Sequence, residues 1–144
     1  MQYLIDIIAF MTFSIVLSLC LAILFRTPRR HLIYAVSIGV ISSSMFRYMS
    51  KEYSHLFSVA ATAFVVATIA QLLARRTQSP SQSFIIPGVI FLVPGLSILN
   101  AIESLKLRNG SSAEEHLYTA LAVAFTISFS ILVANWLIPS RRDL

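Results

Sequence analysis

Five stretches of about twenty mostly apolar residues follow one another along this chain, and few folds are open to such a pattern. A helix of roughly 20 apolar residues covers the ~30 Å hydrocarbon core of a bilayer, with about 17–25 as the working range. The first stretch, Leu4 to Phe25, is the clearest, and the second, Leu32 to Met49, is more polar, holding Ser42, Ser43, Ser44 and Arg47. The third runs from Leu56 to Ala74, the fourth from Phe84 to Ile102, and the fifth from Leu117 to Ile138, stopping at Pro139. At membrane depth a lone backbone polar group finds no water, so each stretch must satisfy its own backbone as a helix. The expected fold is all-α: one polytopic transmembrane domain, residues 1–144, with about five spans.

Composition points the same way. Only 12% of the 144 residues are charged, half the roughly 25% that covers a soluble domain, and 57% are hydrophobic. A separate soluble catalytic unit has no room. The net charge of +5 comes from short clusters between the apolar runs, Arg26, Arg29 and Arg30, then Arg75 and Arg76, then Arg141 and Arg142. Retention of cations on the cytoplasmic side produces such clusters, so they mark topology; membrane lipid, not nucleic acid, is the expected surrounding. With the N-terminus outside, these seven face inward and Arg47, Lys51, Lys106 and Arg108 outward. A fourth segment that entered and left on one face would give the same totals, so counting alone leaves the side of the C-terminus open. The first stretch does not read as a signal peptide: its N-terminal flank has no positive charge, carries Asp6, and its apolar core exceeds 7–15 residues.

Enzyme signatures are absent: no GxSxG, no P-loop, no HExxH and no CxxC. Cys20 is the only cysteine and reads as a structural thiol. His31, His55 and His116 fall at predicted interfaces without metal-ligand spacing, as do Asp6 and Glu103 at span ends, so no metal and no cofactor are expected. Thr27-Pro28 predicts an N-cap followed by proline at the first helical position. Asn109-Gly110 predicts a helix stop, and Ser112 with Glu115 a capping box opening the fifth helix. Small residues recur along the third span (Ala60, Ala63, Ala67, Ala70, Ala74) and the fifth (Ala120, Ala124, Ser128). In lipid such stripes let helix backbones approach, either within the chain or against a partner.

The fourth segment carries the most information. It reads Phe84-Ile-Ile-Pro87-Gly88-Val-Ile-Phe91-Leu-Val-Pro94-Gly95-Leu-Ser97-Ile-Leu-Asn100. Interior proline costs a helix about 3 kcal/mol and glycine about 1 relative to alanine, so two Pro-Gly pairs in one span predict a helix broken near mid-depth. Broken helices form substrate sites in secondary transporters, because a half-helix N-terminus presents N–H groups and a partial positive charge to a carboxylate. The bland alternative is a kinked packing helix. The candidate substrate-binding residues are Pro87, Gly88, Pro94, Gly95, Ser97 and Asn100. Arg47 joins them, because a cation inside a span either snorkels to the interface or receives an anion.

The run Pro87-Gly88-Val-Ile-Phe-Leu-Val-Pro94-Gly95 resembles the proline-rich signature of the threonine/serine exporter family. The likeness extends upstream through Pro28-Arg29 and Gly39 and covers most of the chain. It implies a ten-span secondary exporter, built as one fused chain or as two, of which this chain looks like the shorter, C-terminal-half subunit. A larger membrane subunit would supply the other five spans and a hydrophilic cytoplasmic region, in a homo- or hetero-oligomer of the prokaryotic cytoplasmic (inner) membrane. The partner's half would end outside, which favours an outer N-terminus here. The implied substrates carry a carboxylate: threonine and serine first, dicarboxylates such as succinate second. One departure is Phe91, which stands where the family often has a third proline. The rival from another class is a non-transporting scaffold or assembly protein joined through the alanine stripes, although a scaffold has no need of two helix breaks.

Overall fold

The computed structural model describes residues 2–25, 27–78, 80–106 and 110–138. Arg26, Arg108, Asn109, Pro139, Arg141 and Arg142, named above, lie outside them. Among the described residues every element is helical: α1 (Gln2–Leu24), a 3-10 turn (Arg29–His31), α2 (Leu32–Glu52), α3 (His55–Thr77), α4 (Gln82–Val89) continued by a 3-10 turn (Ile90–Leu92), α5 (Gly95–Lys106) and α6 (Gly110–Leu137). Four helices are long and apolar enough to cross a membrane, or five if the bent α4–α5 pair forms one span.

Helix α3 is the centre. It packs on α2, α4 and α6, while α4 also lies against α1 and α2, and α5 rests on α6. Burial of apolar surface gives helices little reason to associate in lipid, where tails are as apolar as leucine; close van der Waals packing and interhelical hydrogen bonds must hold them. Alanines accordingly share the core with larger apolar residues. Ala22, Ala35, Ile38, Val66, Ala70 and Phe84 join α1 to α4 at one end, and Val59, Ala63, Leu92, Val123 and Ile127 join α3, α4's 3-10 turn and α6 at the other. The stripe of α3 is thus spent inside the chain, with Ala63, Ala67 and Ala70 fully buried. On α6 the predicted stripe divides: Ala120 is buried, Ala124 and Ser128 are exposed. Gln71 of α3 and Asn135 of α6 pair their side-chain amides across the bundle.

Two helix-start expectations need correction. Helix α6 already contains Gly110, so Ser112 lies inside its first turn and does not cap it. Helix α2 is entered through the 3-10 turn, whose N-cap Pro28 (φ −54°, ψ 136°) has no side-chain cap. The Thr27 hydroxyl is engaged elsewhere, on the Ser83 carbonyl.

Candidate functional site

Proline at position 87 cannot donate to the Ser83 carbonyl four residues back. That carbonyl instead accepts from Thr27 Oγ1 of the α1–α2 connection at 3.4 Å. One turn on, the Gly88 carbonyl accepts from Ser42 Oγ of α2 at 2.6 Å. At Gly88 α4 packs tightly on its neighbours: a Cβ there would stand 2.5 Å from Val66 Cγ1 and 2.8 Å from Ile38 Cγ2. The first Pro-Gly pair therefore sits in the packed interior, with Pro87 inside α4 and both residues buried. Carbonyls at this depth are satisfied by protein, as a membrane interior requires.

The second pair breaks the helix. After Gly88 the backbone tightens into the 3-10 turn, and Val93, ahead of Pro94, turns extended (φ −62°, ψ 132°), as the residue before a proline prefers. Helix α5 starts at Gly95, and Ile98 N–H donates to the Pro94 carbonyl at 3.1 Å. The two halves meet at 46°. From Gln82 to Leu92 the chain rises roughly 16 Å at about 1.5 Å per residue, half of a ~30 Å hydrocarbon core. Gly95 is exposed, with open space where a Cβ would be; Ser97 is half-buried and Asn100 exposed.

A cavity of about 400 Å³ lies beside the break, lined by Phe10 of α1, Ser43, Phe46, Arg47, Ser50 and Lys51 of α2, and Phe91 of the 3-10 turn. A second, of about 210 Å³, shares Phe10, Arg47 and Lys51 with it. The Arg47 guanidinium lies 4.5 Å from the centroid of the Phe10 ring, a cation–π contact. Ser43 and Ser50 donate their hydroxyl protons to the carbonyls of Val40 and Phe46. Among the described residues no acidic side chain lines either cavity. Two cations among aromatic rings and apolar walls suit an anionic group, and a carboxylate would meet Arg47 in its bidentate geometry.

Arg47 is thus brought together with Phe91 of the broken segment. Pro87 and Gly88 lie in the interior, while Pro94, Gly95, Ser97 and Asn100 belong to the break and to α5, which packs on α6. Sequence reasoning passed over Lys51, Ser43 and Ser50. Their signal was the spacing: positions 43, 47, 50 and 51 fall on one helical face, a polar stripe in an apolar span.

Four apolar helices of spanning length, packed against one another and against a pair of shorter helices bent by 46°, define a multi-pass helical membrane protein. A family model described as "Threonine/Serine exporter, ThrE" matches residues 10–137. The chain belongs to that family, which is one of transporters. Comparison with curated proteins and with solved structures finds no match.

Proposed function

We propose that the chain is one subunit of a secondary exporter of small carboxylate-bearing solutes, threonine and serine first, in a prokaryotic cytoplasmic membrane. A larger membrane subunit supplies the remaining spans. The observation that carries this reading is the cavity at the broken segment, with Arg47 and Lys51 one helical turn apart and, among the described residues, no acid in its lining. A substrate carboxylate sits between the two cations, and an ammonium group finds the faces of Phe46 and Phe91. Two cations without an acid also suit a solute with two negative charges, so a dicarboxylate is the second reading.

Efflux of labelled threonine and labelled succinate from cells carrying both chains tests the proposal. Arg47→Gln is expected to slow export at least tenfold in normal protein amounts. Lys51→Gln slows succinate more than threonine if the second cation serves a second carboxylate. Cells that carry both chains and release neither solute faster than cells without them would overturn the assignment.

A further inference from the structure

Three side chains of α1 follow one another at helical spacing, Phe10, Ser14 and Ser18. Phe10 lines the cavity. Ser14 and Ser18 are 1% and 0% exposed, and neither hydroxyl has a hydrogen-bond partner. Thr62 of α3 shares this state, whereas Thr12 of the same helix, Ser37, Thr68 and Ser130 each bond back to the carbonyl four residues earlier. Ser18 Oγ reaches across to α2, where it stands 1.9 Å from the place a Cβ on Gly39 would take. The edge of the Phe91 ring lies 3.3 Å from the same place. Phe91 thus borders both the cavity and the contact of Ser18 with Gly39.

Packing alone accounts poorly for these two serines, since alanine would fill the space without a buried polar group to satisfy. Neither serine lines either cavity, but Phe91, which lines the larger one, borders the Ser18–Gly39 contact, so an occupant for the buried hydroxyls would pass that ring. Phe91 stands on the 3-10 turn just ahead of the break, a place where helices commonly hinge.

We infer that Ser14 and Ser18 form an inner binding station for the solute received at Arg47 and Lys51, closed from that cavity by the Phe91 ring. The occupant is a small polar solute whose hydroxyl, ammonium or carboxylate oxygen pairs with the two serines. The inference rests on the exporter reading above, but its test does not need transport. In cells with both chains and in a Cys20→Ala background, Ser18→Cys and Ser50→Cys are treated with a membrane-impermeant thiol reagent from the Arg47 side. Ser50→Cys should react whether residue 91 is Phe or Ala. Ser18→Cys should react at least tenfold faster with Phe91→Ala than with Phe91. Equal rates at Ser18→Cys, with Ser50→Cys reacting, would show that the ring closes nothing. A second measurement uses the near-isosteric Ser14→Ala/Ser18→Ala protein. It should be present in normal amount and export at least tenfold more slowly; normal export would mean that the serines only pack. Absence of efflux in the unsubstituted pair would instead strike the exporter reading and leave the labelling result standing.

Discussion

A methyl group added at Gly39 would stand 1.9 Å from Ser18 Oγ and 2.8 Å from Ser18 Cβ, and one added at Gly88 would meet Val66 and Ile38 at 2.5 and 2.8 Å. Those neighbours are buried, and Val66 and Ile38 are β-branched and stiff in a helix, so something must shift. Overpacking of this kind costs about 1–3 kcal/mol. Gly95 differs, having nothing within 4 Å of its missing Cβ. Gly39→Ala and Gly88→Ala should therefore lower the thermal midpoint of the purified protein, whereas Gly95→Ala should leave it unchanged or raise it by the ~1 kcal/mol gained in helix propensity. Three equal midpoints would contradict the packing described. Sequence alone could not separate these glycines, because two share an identical Pro-Gly context and differ only in what lies across from them. Thr27 teaches the same: its place before Pro28 suggests a cap, but a carbonyl left open by Pro87, sixty residues later, takes its hydroxyl.

At the scale of the element, the interruption of the fourth segment was legible because proline's missing donor and glycine's low propensity act locally. Which pair would break the helix was not, because that depends on partners. Helix α4 survives Pro87 with Thr27 and Ser42 bonding its carbonyls, and yields at Val93-Pro94, where Gly95 meets open space. The Arg47 cavity was half legible: one cation in an apolar span stood out, but Phe10 and Phe91 reach it from other elements. If the break serves transport, healing it should be harmful to function and harmless to folding. Pro94→Ala/Gly95→Ala should gain about 4 kcal/mol of local helix propensity and reach the membrane in normal amount. Export should fall at least tenfold, measured as efflux against protein level. Normal export would leave the break a packing kink.

For the whole molecule, the parity of spans sets which end of the bundle carries the Arg47 cavity. Residues 47 and 51 lie near the C-terminal end of α2, the end from which α1 starts, while Arg75 and Arg76 close α3 at the other. With cations retained inside, a reporter fused at residue 1 should be external and one after Pro80 cytoplasmic, read by alkaline phosphatase and fluorescent-protein fusions. A cytoplasmic N-terminus together with a cytoplasmic residue 80 would sink the three-span parity. The outer faces are unequal. On α6, Leu117, Tyr118, Leu121, Phe125, Phe129, Leu132 and Trp136 are exposed, and on α1 Ile8, Phe13, Val16 and Ile23. The order of the apolar segments was plain from hydropathy; which faces turn inward was not, since α1 is apolar all round and the stripe read on α6 is buried only at Ala120.

The two hydroxyl bonds to α4 also bear on how the chain is made. Synthesis runs from the N-terminus, so Thr27 and Ser42 are in place before Ser83 and Gly88 leave the ribosome. A segment with eleven helical residues before its break is too short to cross a bilayer, and alone in lipid it would carry the Ser83 carbonyl that Pro87 leaves without its usual donor. The fourth segment is therefore expected to enter by docking on an α1–α2 hairpin already in the membrane instead of partitioning on its own.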